Sequence, residues 1–344
     1  MDTVLVTGAG GYIGSILVGK LLGAGYRVKA VDRYFFGDDK LQQHKNLEII
    51  KEDSRKLNGK HFENVHHVID LVALSNDPSA ELFHEHTWGI NYLSRVSSAR
   101  LARESGARRY ILPSSASIYG YQDEIVDETS PTNPLTVYAH ANEKTEQEVL
   151  ALAGSDFVVT VMRQATVFGY SPRMRFDLAI NGMTYGCWAT GKLPLMRDGS
   201  QYRPMVHIQD TTDVMLLLLT CDTGFTNGEI FNVGGDDGNF RIEDLARRVA
   251  EASRQITGRE VEIEWYGDPD KRSYRLSFKK IQERLGWTPR ATVEQGVGEI
   301  IDALEKKLID RTPDTITLDW YKSLVHWHKI IREVEKYSGI LDIE

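Results

Sequence analysis

Three glycines near the start of the chain carry the first chemical signal. Gly8, Gly11 and Gly14 stand in Gly-Ala-Gly-Gly-Tyr-Ile-Gly, directly after an apolar run, Thr3–Thr7, that reads as a strand. Ile13–Leu22 reads as a helix that enters from this turn. In such a strand–turn–helix the first glycine permits the tight turn. The second lets backbone approach a pyrophosphate, and the third lets the helix pack close to the sheet. The helix start, with Tyr12 and Ile13, then offers unpaired N–H groups to phosphates. Asp32 follows a second strand, Arg27–Val31. It lies about 20 residues on, where an acid accepts hydrogen bonds from adenosine ribose hydroxyls. A carboxylate there repels a 2′-phosphate, so NAD is favoured over NADP; Arg33 weakens that preference without reversing it. Asp53, beside Ser54 and after a third strand at Leu47–Ile50, could contact the adenine amino group. An exposed turn acid would read the same way.

These groups need a scaffold, and the first half of the chain supplies its pattern. Short apolar runs at His67–Leu71, Tyr110–Leu112 and Phe157–Met162 alternate with helical stretches at Thr87–Glu104 and Ala141–Ala153. Strands alternating with helices predict an α/β fold, a Rossmann-type doubly wound parallel sheet. After about Gly169 the rhythm changes. Arg203–Ile208 and Ile230–Val233 read as strands, with helices at Ile242–Ser253 and Ser277–Leu285. The expected division is a dinucleotide-binding domain over residues 1–170 and a smaller C-terminal α/β substrate lobe with a helical tail over 171–344. The chain is expected to return to the first sheet at least once. Trp320, Tyr321, Trp327 and Tyr337 mark the tail at roughly helical spacing.

Bulk properties narrow the partners. A formal net charge of −8 argues against nucleic acid as a partner. The two cysteines, Cys187 and Cys221, fit neither a zinc site nor a disulfide framework, which suggests a reducing compartment. Thr3–Thr7 lacks the basic flank of an export signal, and the apolar stretch Met215–Thr220 is too short to span a bilayer. The expectation is a cytoplasmic protein with no membrane partner. The pairs His84/His86 and His326/His328 have strand-type metal spacing on stretches that read as helical, so no metal site is expected.

Further motifs follow in a telling order. Leu71-Val72-Ala73 closes the fourth strand, and Asn91 lies in the next helix. Ser114-Ser115-Ala116-Ser117-Ile118-Tyr119-Gly120 and Tyr138 come next. Arg163-Gln164-Ala165-Thr166-Val167-Phe168-Gly169 and Arg203-Pro204-Met205-Val206-His207 complete the series. With the glycine turn, this order resembles the extended short-chain dehydrogenase/reductase family, in its NAD-dependent sugar-nucleotide epimerase/dehydratase branch, from Val4 to about residue 305. The resemblance implies NAD as cofactor, a nucleotide sugar as substrate and a homodimer. It makes Tyr138 the acid/base and Ser115 its hydroxyl partner. Leu71, Val72, Ala73, Asn91, Ser114, Gln164 and Val167 then join the cofactor site. Arg203 and Arg272 become contacts to the nucleotide diphosphate, for which a guanidinium suits paired phosphate oxygens. Arg173 and Arg175 could line the same cleft. Ser75, Ser117, Thr166 and Asp177 are weaker sugar contacts.

One position departs from the family pattern. In such enzymes a lysine one helical turn after the tyrosine holds the nicotinamide ribose, and its charge favours phenolate. Here that position is Asn142. Asparagine still hydrogen-bonds a hydroxyl but carries no charge. Lys144 lies a rotation of about 240° from Tyr138 on a helix, on another face. Oxidised nicotinamide or a residue from elsewhere could tune Tyr138; the chemistry could be slow or unusual; or Asn142 could be an inactivating replacement.

The reaction class follows from what stands beside Ser115. The family's 4,6-dehydratases place an acidic pair there, whereas this chain has Ala116 and Ser117. Dehydration is therefore disfavoured, and Asp32 disfavours an NADPH-dependent reductase. C4 epimerisation is the leading expectation. A sugar-nucleotide oxidoreductase is the alternative within the fold, and a non-catalytic NAD and sugar-nucleotide binding protein is the alternative of another class.

Overall fold

Thr3–Thr7 is an extended, wholly buried run of aliphatic and β-branched residues, as a strand covered on both faces requires. In the computed structural model, which describes residues 1–268 and 270–335, it lies within a seven-stranded sheet. From one edge to the other the strands are Glu229–Val233, Val158–Gln164, Arg109–Ser115, His67–Asp70, Thr3–Thr7, Arg27–Asp32 and Leu47–Lys51. Every neighbouring pair is parallel. Glu229–Val233, late in the chain, forms one edge of this sheet.

Side chains alternate across this sheet, and each face meets its own core. Val4 and Val6 pack with Leu17 and Leu21 of the helix Tyr12–Gly23 and with Met215 and Leu218 of the helix Ile208–Thr220. Leu5 points the other way, into a core with Val96 and Ala99 of the helix Arg95–Glu104 and Val149 of the helix Val137–Leu150. The strand order reverses between Thr3–Thr7 and His67–Asp70. At such a switch point a crevice opens outside the carboxyl ends of the two strands. Two hydrogen bonds tie its walls: Leu71 N–H donates to the Thr7 carbonyl at 3.1 Å, and Val72 N–H to Thr7 Oγ1 at 3.2 Å.

Beyond the sheet, the helices Ala179–Thr190, Ile242–Thr257 and Val293–Glu305 share a separate core around Ile180, Leu245, Val249 and Val297. Tyr202–His207 pairs with Thr166–Phe168 and Asn239–Arg241, while Lys192–Met196 pairs with Glu262–Tyr266. Ser273–Leu276 pairs with Tyr121–Val126. The expected single helix at Thr87–Glu104 is divided. A helix at His84–Thr87 leads into a π-helical stretch, Trp88–Ser94, and only then into Arg95–Glu104. The tail forms a helix, Thr317–Glu335; Tyr337 lies outside the described residues. No helix among the described residues is long and apolar enough to cross a membrane.

Candidate active site

The crevice at the switch point is built for close backbone approach. Gly8 adopts φ +66°, and a Cβ on it would sit 2.8 Å from the Leu71 carbonyl carbon. A Cβ on Gly14 would lie 2.3 Å from the Gly8 oxygen. No side chain fits at either position without moving backbone. Gly11 caps the helix Tyr12–Gly23 with no side-chain hydrogen bond, so the first N–H groups remain open toward the crevice. Tyr12, Ile13, Asp32, Arg33, Asp53 and Ser54 line the same space, as do Leu71, Val72, Ala73 and Ser75.

Asp32 is held in place by its neighbours. Its Oδ2 accepts the Gly10 N–H at 3.1 Å and its Oδ1 the Tyr34 N–H at 2.7 Å. Burial nonetheless pushes its pKa up. Arg33 turns away from it, with Nη1 3.1 Å from Asp53 Oδ2. Asp53 also takes Arg55 Nε at 2.9 Å and Nη2 at 2.6 Å. Hydrogen bonding from Arg55 holds the Asp53 carboxyl down at about 2, against the effect of partial burial.

Asn91 acts on the crevice from behind. Fully buried, it accepts the Leu74 N–H at 2.8 Å and donates to the Leu74 carbonyl at 3.1 Å, fixing the loop that follows Leu71–Ala73. Gln164 accepts from Thr211 Oγ1 at 2.6 Å. Thr166 and Val167 pair in register with Met205 and Val206.

Arg173 and Arg175 line the switch-point crevice. Arg175 binds Asp177 with both Nε and Nη2, at 3.0 and 2.8 Å, and Ser75 Oγ at 3.0 Å. Asp177 is thereby engaged, also accepting from Asn76 at 3.0 Å. Arg173 is only 4% exposed and stacks over Phe36 at 3.6 Å. Its Nη2 donates to Thr317 Oγ1 at 3.2 Å, while Nε and Nη1 have no hydrogen-bond partner among the described residues. Burial, reinforced by the like charge of Arg175, lowers its pKa to about 10. The tail supplies another wall. Tyr321 lines the crevice against Phe35 and Phe36, and Trp320 Nε1 donates to the Phe35 carbonyl at 2.7 Å. Sequence pattern gave the tail no role, because its aromatics carry no motif.

Ser115 ends the strand Arg109–Ser115, and Tyr138 opens the helix Val137–Leu150, capped by Thr136 Oγ1 on the Ala139 N–H at 3.2 Å. A buried network fixes one against the other. Ser114 Oγ donates to Glu146 Oε1, and Arg163 grips Glu146 Oε2 with Nε at 3.0 Å and Nη2 at 2.9 Å. Burial raises the Tyr138 pKa and Asp77 adds to the rise; Arg95, Asn142 and Ser115 oppose it. Asn142 is 1% exposed, with Oδ1 accepting from Arg95 Nη1 at 3.1 Å and Nδ2 donating to the Tyr138 carbonyl at 3.0 Å. Lys144 points elsewhere, to Glu148 at 3.8 Å. Ser117 is buried, and its N–H donates to Ser115 Oγ at 3.1 Å.

Arg203 and Arg272 come together around one acid. Arg272 holds Asp270 with Nε at 3.0 Å and Nη2 at 2.7 Å, and Arg203 Nη2 reaches the same carboxylate at 2.8 Å. Burial works against ionisation of Asp270, yet these guanidiniums keep it below the usual carboxylate range. Arg272 also bonds Asp77, which links this cluster to the surroundings of Tyr138.

Comparison with known proteins decides the family. Residues 4–234 match the NAD dependent epimerase/dehydratase family. The chain belongs to that family. It is 26% identical over 328 residues to UDP-glucuronic acid decarboxylase 1 of Arabidopsis thaliana, covering 89% of this chain and 71% of that protein. It is 25% identical over 341 residues to UDP-glucose 4-epimerase of Corynebacterium glutamicum, covering 90% and 97%. Among solved structures, MoeE5 in complex with UDP-glucuronic acid and NAD superposes with a TM-score of 0.77 at 27% identity, covering 89% of this chain and 100% of that one.

The family's cofactor is NAD, and this chain has residues that fit it. The glycine turn excludes side chains where a pyrophosphate must approach backbone, and Arg173, which lines the same crevice, has two buried nitrogen atoms with no hydrogen-bond partner among the described residues.

Proposed function

We propose that this protein binds NAD in the switch-point crevice and epimerises a nucleotide sugar at C4. The observation that carries the reading is the placement of Ser115 at the end of one strand and Tyr138 at the start of the helix tied to that strand by Ser114 and Glu146, with Ala116 and Ser117 where dehydration would call for acids. The glycine turn, Asp32 and Arg173 would hold the dinucleotide, with Asp53 at the adenine end. When bound, NAD supplies a hydride acceptor that returns the same hydrogen to the opposite face of the sugar carbon.

The chain's own residues do the rest. Tyr138 removes and restores a proton at the sugar hydroxyl through its phenol oxygen. Ser115 orients that hydroxyl and shares its hydrogen bond. Arg203 and Arg272, gathered by Asp270, receive the diphosphate and fix the sugar's position. In this reading the elements after residue 170 form the substrate lobe, with Ser75, Ser117, Thr166 and Asp177 near the sugar. The protein works in the cytoplasm as a homodimer; Trp88 and Leu93, 38% and 59% exposed beside Arg95–Glu104, favour that face for pairing.

Reaction in deuterated water tests the reading with UDP-glucose and UDP-glucuronic acid as probes. C4 epimerisation through returned hydrogen gives an epimer with no solvent deuterium on carbon. Deuterium at C5 would point instead to decarboxylation or dehydration.

A further inference from the structure

The position that lacks its lysine is occupied by an amide that leans on a buried arginine. Arg95 is among the largest fully buried side chains, 2% exposed at its side chain. Its Nη1 donates to Asn142 Oδ1 at 3.1 Å. Its Nη2 donates to the carbonyls of Asp70 at 2.8 Å and Pro113 at 2.6 Å, and its Nε lies 3.7 Å from Asp70 Oδ2. Guanidinium has donors only, so the oxygen of Asn142 must face it. The Asn142 NH2 group thereby faces the other way and donates to the Tyr138 backbone carbonyl at 3.0 Å.

We propose that Arg95 takes over the electrostatic task of the missing lysine, acting on Tyr138 through the Asn142 amide. The amide that accepts from Arg95 also donates to the Tyr138 backbone, so the buried cation is held one side chain away from Tyr138, where its field favours phenolate. Arg95 is therefore a positioning residue, and the inference rests on Tyr138 being the acid/base of the proposed reaction. Its charge sits on a different helix from the expected lysine, one side chain removed from the Tyr138 backbone.

The charged surroundings are few and named. Asp77 faces Tyr138 and favours the neutral phenol, though Arg272 and Thr136 Oγ1 both bond it. Asp70 offsets part of the Arg95 charge, and is itself bonded by Thr7 Oγ1 and the Tyr110 hydroxyl. The Tyr110 hydroxyl oxygen also lies 3.0 Å from the Arg95 carbonyl. Ser115 completes the set around the phenol. Against this background Arg95 is the cation that favours phenolate.

The test reads Tyr138 directly. NAD-loaded protein labelled with 13C at tyrosine Cζ is titrated by NMR, with the Tyr138 signal assigned by its loss in Tyr138→Phe. Arg95→Met should leave about tenfold less phenolate at a fixed pH. The double variant Arg95→Thr/Asn142→Lys, which moves the cation to the usual place, should restore it. Should Arg95→Met fail to fold, Arg95→Gln keeps a donor toward Asn142 without the charge. A folded charge-free variant that titrates as the wild type does would overturn the proposal. The readout needs no sugar, so a shifted titration with no turnover on any sugar would sink the epimerase reading and leave this one standing.

Discussion

Asp32 Oδ2 lies 3.1 Å from the Gly10 backbone nitrogen, so the acid at the end of the second strand also braces the glycine turn. One side chain thus links, in the proposed mode of NAD binding, the ribose end of the crevice to its phosphate end. Replacing it affects both. Asp32→Ser should weaken NADH binding about tenfold, the scale of a lost hydrogen bond to a charged group. It should also narrow the preference over NADPH, since the repelling charge is gone. Fluorescence titration with both cofactors checks this; an unchanged ratio would show that Asp32 does not read the ribose.

The network behind Ser114 should govern stability. Glu146 is 2% exposed and balances Arg163, which is 6% exposed. Truncating one member of such a pair strands the other charge, at about 3–5 kcal/mol. Glu146→Ala should lose that much in urea unfolding, with Glu146→Gln losing less because it keeps partners for Ser114 and Arg163. Equal, small losses would mean that the pair bears little on the fold.

The tail should act in cofactor retention. Tyr321→Ala removes one ring from the wall shared with Phe35 and Phe36. A loss of about 1 kcal/mol, roughly fivefold in Kd for NAD, follows from the scale of aromatic contacts. Calorimetric titration gives the answer, and full affinity in the variant would remove the tail from the cofactor site.

Acid sensitivity has a definite sign at Asp53. Its folded pKa is held at about 2, below the unfolded carboxylate value. Its contribution to stability is therefore complete above about pH 4 and is lost as pH falls toward about 2. Asp53→Asn should lower stability at neutral pH and flatten the decline across that window. Unfolding free energies measured at stepped pH would expose a parallel decline, the outcome that contradicts this assignment.

The sequence made the sheet legible because each buried strand is an apolar run bounded by turn residues. The crevice was legible because Gly8 and Gly14 leave no room for a side chain, a constraint that residue type alone records. Other features depend on contacts distant in sequence. Glu262–Tyr266 alternates only over Glu-Ile-Glu-Trp and is mostly exposed, and the strand that pairs with it, Lys192–Met196, lies 70 positions earlier in the chain. Arg173 and Arg175 read as a basic loop that could line the cleft of Arg203 and Arg272, and only packing shows their contacts with Phe36 and Asp177. Arg95 lies in an ordinary amphipathic stretch. Nothing in its neighbours signals that its guanidinium is buried against an amide 47 positions along the chain.

The most direct test of the account is the mass of the product. Purified protein is incubated with UDP-glucose and, separately, UDP-glucuronic acid, and the products are resolved by chromatography and mass spectrometry, with Tyr138→Phe alongside. The account predicts a new sugar nucleotide of unchanged mass from one of them, its rate of formation reduced at least about 100-fold in Tyr138→Phe while NAD stays bound. A product lighter by carbon dioxide or by water, or an epimer formed equally fast without the Tyr138 hydroxyl, would contradict it.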